Sequence, residues 1–538
     1  MIRPILIAAV AVFTIAGCKK RDPNPVPPTP NAAVSAQASD EGSGHHPGSG
    51  IEWFEGDVDA AFARARAEGK PVFLYWGAEW CPPCHELKAS VFSRTDFQQK
   101  AKLFVPVYLD GDTAGAQKWG DVFHVSGYPT VVILNADRHE LTRIAGGMDL
   151  SQYAESLDLV LGDVRPVGDT LAALEKSPAP LSPDDCRRLA YNDWRLTDEV
   201  YSKTPENTAT ALQLAAQMCP AESRVERARL VASAAYASTS ADSEALEAGE
   251  PASAHTVKLA NAVYETLVDR DVALAATDSL RNLDQDFFLA VKRHDAGRAS
   301  AFLERWAGVM DAAAEDARFG EADRIYARVA KLQAVKGLSA DGKIPAPLAA
   351  QVTEHVDAAL AKKYEGYERA GIVNASLWAL DTLGEKDRIR AVLDHEVKTA
   401  RQPYYYMLDL ADVEEKAGNQ DKAVEWLERA YRESQGVATR FQWGTEYLLG
   451  LVRMQPENGA RIRDASFAVL GELDGPDRIY MRTAKRLERL DSSLREWNRN
   501  GAHAKEIAIL QDHMSGICGK IPAGEPARKT CDSFLAKA

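Results

Sequence analysis

Positive charge is the first thing this sequence is short of. Its 64 Lys and Arg residues face 78 Asp and Glu residues, a formal net charge of -14 over 538 residues. There is no overall positive field to exchange for the counterions condensed on a duplex, which argues against duplex nucleic acid as a partner. Long apolar runs are scarce too, and the stretch from Ile5 to Ile15 is too short to cross a bilayer comfortably. Large apolar side chains are nearly missing from Lys19 to Gly50, a segment rich in Pro, Ala, Ser and Gly. Such a stretch cannot bury enough surface to offset its ordering entropy and reads as a flexible tether. Cysteine is sparse, 7 in the chain, and a single pair has CxxC spacing. No second CxxC and no suitably spaced histidine pair completes four zinc ligands, so no metal site is expected. His45 and His46 lie in the tether without a Cys or acidic cluster and read as solvent-exposed linker residues.

What is present begins at the N-terminus. Met1 and Arg3 ahead of the Ile5 to Ile15 run have the layout of an export signal. Ile15-Ala16-Gly17-Cys18 resembles the lipobox of bacterial lipoproteins. The resemblance implies a mature chain that starts at a lipidated Cys18 and is held to a lipid bilayer by more than one acyl chain. With Lys19 rather than Asp next, it also implies the outer membrane, on the periplasmic side of the cell envelope. The other reading is an ordinary signal peptide cut nearby.

Setting Cys18 aside leaves six cysteines, an even number that suits disulfides in an oxidising compartment. Pairing by sequence neighbour gives Cys81 with Cys84, Cys186 with Cys219 and Cys518 with Cys531, the last two structural. The outer four also permit other pairings, or free buried thiols.

The run Lys70-Pro71-Val72-Phe73-Leu74-Tyr75-Trp76 predicts a buried central strand. Gly77-Ala78 then leads through Glu79 and Trp80 to Cys81-Pro82-Pro83-Cys84, after which His85-Glu86-Leu87-Lys88 begins a helical pattern. At a helix start the free N–H groups and the dipole favour an anion, so the first thiol loses its proton readily. Cys81 is therefore read as the exposed attacking thiolate and Cys84, one turn inward, as the resolving thiol. The two prolines remove donors that a helix start can spare. Further elements follow: a first helix over Val58 to Glu68, a strand over Leu103 to Leu109, a helix over Thr113 to Trp119 and a strand over Val131 to Leu134. A last strand over Leu141 to Ile144 and a terminal helix over Leu150 to Leu161 complete the order.

Trp80-Cys81-Pro82-Pro83-Cys84 together with Tyr128-Pro129-Thr130 resembles the thioredoxin superfamily, including the soluble redox domains of periplasmic thiol-disulfide exchange proteins. The resemblance implies an α/β fold, a central mixed sheet flanked by helices. It also implies a cis Pro129 against the disulfide, with the backbone beside Tyr128 free to pair with an extended substrate. Two departures accompany it. Tyr75 stands where strongly reducing members carry a buried Asp, and Pro106 where they carry a Lys. Deprotonation of Cys84 must then rely on water, Glu79 or substrate groups. Trp80, Glu79 and His85 are the candidate modulators, although Glu79 also fits a solvent-facing turn and His85 a shield for the helix start.

Residues 164–183 contain several prolines and short apolar patches and read as an interdomain connection. From Asp184 the chain turns to Ala, Leu, Glu and Arg-rich stretches with apolar residues three and four apart, the mark of an all-α array. Tyr405 to Ser434, with Leu410-Ala411, Gly418, Ala423, Trp426-Leu427 and Ala430, resembles a tetratricopeptide repeat. Glu206 to Gln217 with Arg224 to Ala237 reads as a degenerate unit. Such an array either offers a groove to protein substrates or only supports the redox domain. Tyr404-Tyr405-Tyr406 and Phe441-Gln442-Trp443 either pack repeats together or anchor a partner.

The expected organisation is a signal peptide over 1–17, a linker over 18–50, a thioredoxin-like domain over 51–163, the connection, and helical repeats over 184–538. The expected function is an envelope thiol-disulfide oxidoreductase, needing no cofactor, that reduces or isomerises disulfides in protein substrates and is served by an upstream redox partner. The competing expectation is a noncatalytic interaction scaffold.

Overall fold

The computed structural model describes residues 50–144, 156–162, 164–195, 204–339, 341–364, 368–475 and 477–536. The lipobox cysteine and the tether up to residue 49 lie outside these, as does the first half, 150–155, of the terminal helix read over 150–161. Four strands, β1 (Val72–Gly77), β2 (Val105–Asp110), β3 (Thr130–Leu134) and β4 (Glu140–Ile144), form one sheet in the order β2-β1-β3-β4. β1 runs parallel to β2 and antiparallel to β3, which is antiparallel to β4. Every residue of β1 is buried, as its unbroken apolar run requires of a strand covered on both faces. One face, Val72, Leu74 and Trp76, packs under α1 (Val58–Glu68) and α4 (Ala114–Val122) through Phe62 and Trp119. On the other, Phe73 and Tyr75 meet Phe92 and Phe97 from α2 (Pro82–Leu87, continued by a π-helical turn Lys88–Phe92) and α3 (Thr95–Ala101). Asp57 caps α1 by accepting from the Ala60 amide at 2.7 Å, and Gly69, at φ 65°, ends it in the left-handed conformation a helix stop uses. This is a thioredoxin-like domain followed by a mostly helical region.

The connection is not merely a linker. Val167–Lys176 is a helix whose buried Val167, Leu171 and Leu174 pack it against both β4 and the helix Pro205–Met218. Its prolines bracket the helix at Pro166 and Pro178 and leave its interior unbroken. Beyond it, sequence-adjacent helices pair: Pro205–Met218 with Arg224–Ala241, and Pro403–Lys416 with Gln420–Glu433. Gly418 makes the second of these turns at φ 82°, and Ala411, Ala423 and Ala430 are buried in the pair. A Cys186–Cys219 disulfide joins Pro183–Tyr191 to the end of Pro205–Met218, and a Cys518–Cys531 disulfide joins Ala504–Cys518 to Pro526–Ser533. Among the described residues no helix is long and apolar enough to cross a membrane.

The two regions share their interior. The Phe73 and Tyr75 face runs on into the early array as far as Trp306, while the later helices form a second core that reaches Trp80. The CxxC segment lies at that junction.

Candidate active site

Cys81 is the N-cap of α2, and Cys84, in its first turn, donates its amide to the Cys81 sulfur at 3.2 Å. The two cysteines are joined as a disulfide, with α-carbons 5.2 Å apart. Ala78 is buried with them, and Trp80 and Tyr128 pack on the cluster. The Tyr128–Pro129 peptide is cis. The Tyr128 hydroxyl accepts from Gln117 Nε2 at 2.9 Å, and its ring crowds Gly111, where any β-carbon would fall within 2.5 Å of it.

Cys81, expected to be exposed, is only 2% exposed. The cause is the array. Trp80 donates from Nε1 to the Thr439 hydroxyl at 2.7 Å, and its ring lies 4.9 Å from that of Trp443 and 6.4 Å from that of Tyr405. Asp112, just past β2, accepts the Thr439 amide at 2.8 Å, and Asp121 on α4 accepts that of Met481 at 2.8 Å. Burial pushes the Asp112 carboxyl up to about 6, although the Thr439 contacts pull it the other way. Tyr404, Tyr405 and Trp443 are thus buried within the array, and two of them also close over the CxxC segment.

Buried charges gather around α2 and the end of β2. Lys88, fully buried, reaches Glu79 Oε1 at 2.9 Å and lies 5.7 Å over the Tyr108 ring. Glu79 is thus an ion-pair partner of Lys88 while it stays in the turn before the cysteines, partly exposed. Asp110 is raised by burial, with Glu79 adding to the rise and Lys88 opposing it. Tyr75 stacks on Tyr108 with ring centres 5.6 Å apart. His85 is buried and held neutral, its pKa pushed down to about 4 first by burial and then by Lys88.

Sequence reasoning passed over Lys88, Glu86, Asp112 and the array's contribution. Lys88 was findable, since it falls four residues after Cys84 on one helix face. Glu86 leaves α2 on the side facing the helix Glu368–Leu383, where Gly371 makes room for it: a β-carbon there would come within 3.1 Å of the Glu86 side chain. Burial and then Asp323 hold its carboxyl well above the usual range, while Arg281 acts in the opposite sense. Among the described residues no group of three or more His, Cys, Asp or Glu side chains is arranged to hold a metal ion.

The thioredoxin-like family model matches residues 53–136. The thiol:disulfide interchange protein DsbD of Klebsiella pneumoniae is 34% identical over 99 residues, which is 18% of this chain and 17% of that protein. That of Cronobacter sakazakii is 34% identical over 108 residues, 19% and 18% of the two chains. DsbD 1 of Pseudomonas aeruginosa is 26% identical over 161 residues, 28% and 26%. The chain thus spans about a quarter or less of the length of these relatives. No solved structure gives a significant match.

Proposed function

We propose that the chain is a thiol-disulfide oxidoreductase of the cell envelope that reduces or isomerises disulfides in protein substrates. What carries the reading is Cys81 and Cys84 at a helix start beside Tyr128-Pro129, within a domain similar to thiol:disulfide interchange proteins. In the reduced form the Cys81 thiolate attacks one sulfur of a substrate disulfide, forming a mixed disulfide while the other substrate sulfur leaves as a thiolate. The Cys84 thiolate then attacks the Cys81 sulfur and releases the second substrate thiol. Two electrons pass to the substrate, and the protein is left with the Cys81–Cys84 disulfide, which a dithiol donor upstream must reduce. Burial in an apolar pocket opposes the thiolate at Cys84, and the Glu79–Lys88 pair, which brackets the CxxC segment in sequence, is the candidate to carry the proton away.

Trapping tests this. Cys84→Ser is expected to accumulate mixed disulfides through Cys81, and Cys81→Ser to accumulate none. Unchanged redox state of Cys81 and Cys84 in cells, with no adduct on Cys84→Ser, would reject the enzyme.

The export signal and lipobox add a proposed place for it, a lipid-anchored protein facing the periplasm, with Cys18 acylated and the outer membrane its sorting destination. Intact-mass measurement is expected to find a chain starting at Cys18 with acyl mass, and a soluble chain without it would refute the anchor. The array is proposed to be tetratricopeptide-like. A second reading, a noncatalytic scaffold, is favoured by one observation, the cover that the array places over Cys81.

A further inference from the structure

The cover leaves a small cleft, of about 10 Å³, where Trp80 and Tyr128, which pack on the disulfide, and Gln117 meet Thr439, Arg482 and Arg486. It has room for one water-sized group. Arg482 and Arg486 are four apart on the helix Met481–Trp497 and so share its face. The Arg482 guanidinium lies 4.0 Å over the Tyr128 ring, and its buried Nη1 has no hydrogen-bond partner. Arg486 spends its one hydrogen bond, at 3.1 Å, on the backbone carbonyl of Arg482. Among the described residues neither is salt-bridged, although neighbouring arginines are: Arg440 to Glu472, Arg453 to Glu415 and Arg489 to Glu446. Burial first, and Arg482 second, push the Arg486 pKa down to about 9. Two like charges at this spacing disfavour each other, and half-buried they gain from an anion more than exposed ones would. Asp112 is the nearby carboxylate, and Arg482 favours its charged form, but its Oδ1 already accepts the Thr439 amide and among the described residues it makes no ion pair with either arginine.

We propose that Arg482 and Arg486 form a subsite for a carboxylate group of the thiol or disulfide that reacts at Cys81. The proposal rests on the thiol-disulfide reading above and names its substrate class. The cleft has room for about one carboxylate oxygen, so the sulfur-bearing remainder of the ligand must lie outside it. The chain is acidic overall, so a preference for an anion must come from this local pair. The carboxylate comes either from a small free thiol compound or from an acidic side chain beside a protein cysteine.

Reduced full-length protein is mixed with dianionic bis(carboxynitrophenyl) disulfide and with neutral dipyridyl disulfide, and the ratio of the two rate constants is compared across Arg482→Gln, Arg486→Gln and their double variant. Each single change is expected to lower the anionic-to-neutral ratio about 10-fold, the size of one lost charge-assisted hydrogen bond. A purely structural role would move both rates and spare the ratio. A second arm uses a peptide disulfide with Asp or Asn beside its cysteine. A drop with the small reagent alone assigns the subsite to free thiol compounds, a drop with the peptide alone to acidic protein segments, and a drop in both to carboxylates of either source. An unchanged ratio in both arms overturns the proposal. If neither disulfide reacts, the redox reading fails and acetate decides the subsite. Acetate raises the melting temperature of the wild type and not of the double variant if the subsite exists, and raises neither if it does not.

Discussion

Two side chains near the disulfide titrate in opposite senses. His85 is neutral in the folded state, with a pKa pushed from 6.5 to about 4. Its folded value is depressed, so the unfolded chain takes up the proton first, and stability present above pH 6.5 is lost as pH falls toward 4. The shift corresponds to roughly 3 kcal/mol. His85→Gln is expected to remove that part of the acid sensitivity, read as a shallower fall in the denaturation midpoint from pH 7 to pH 4. Asp112 runs the other way. Its folded pKa is raised from 3.8 to about 6, so its contribution is complete below pH 3.8 and is lost as pH rises through 6. Asp112→Asn is expected to flatten stability over that window. Little change in the pH profile of either variant would show that other groups set it.

At the scale of elements, α2 is held by more than its own turn. Glu86 projects from it onto Glu368–Leu383 with a carboxyl raised well above its ordinary value, so the folded state binds the extra proton and stability falls as pH rises through the folded pKa. Glu86→Gln keeps the shape and removes the titration. It is expected to be more stable than the wild type above neutrality and equal to it at pH 4, and thermal melts across pH read the difference. At the other end of the chain, Cys518–Cys531 closes a short loop between the last two helices, over a sequence separation of 13. The chain-entropy relation makes such a loop worth about 3 kcal/mol. The double Ser variant is expected to lose about that much, with faster amide exchange confined to Pro526–Ser533. Exchange that rises across the whole array instead would mean that the crosslink supports more than its own corner.

Over the whole molecule, the array is a cover on the reacting sulfur. On the proposed function, access to Cys81 requires a local opening in which Thr439 parts from Trp80 and Asp112, contacts that contribute to its free energy. Alkylation of Cys81 in the reduced wild type is therefore expected to be at least about 10-fold slower than that of an exposed thiol. Asp112→Ala combined with Thr439→Ala, which removes both the acceptor of the Thr439 amide and the hydroxyl that holds Trp80, should recover most of the difference without a large change in melting temperature. Fast alkylation of the wild type would show that the cover is open in solution, and a double variant as slow as the wild type would show that other contacts hold it.

The sequence alone was enough for the features that local chemistry encodes. An unbroken apolar run reads as β1, apolar residues three and four apart read as helices, and CPPC ahead of a helical pattern places two thiols at a helix start. Even the helix in the connection was legible from Val167, Leu171 and Leu174, and was missed because the flanking prolines were weighed more heavily. What tertiary structure decided is everything made by residues hundreds apart in the chain. Trp80 meets Thr439 across 359 positions, Asp112 meets Thr439 across 327 and Asp121 meets Met481 across 360. No periodicity or spacing records such a pairing, because burial depends on which faces happen to meet once the helices have packed. Hence the burial of Cys81, the Glu86 socket and the placing of Arg482 and Arg486 beside Tyr128 belong to the fold, while the CxxC pair itself was written in the sequence.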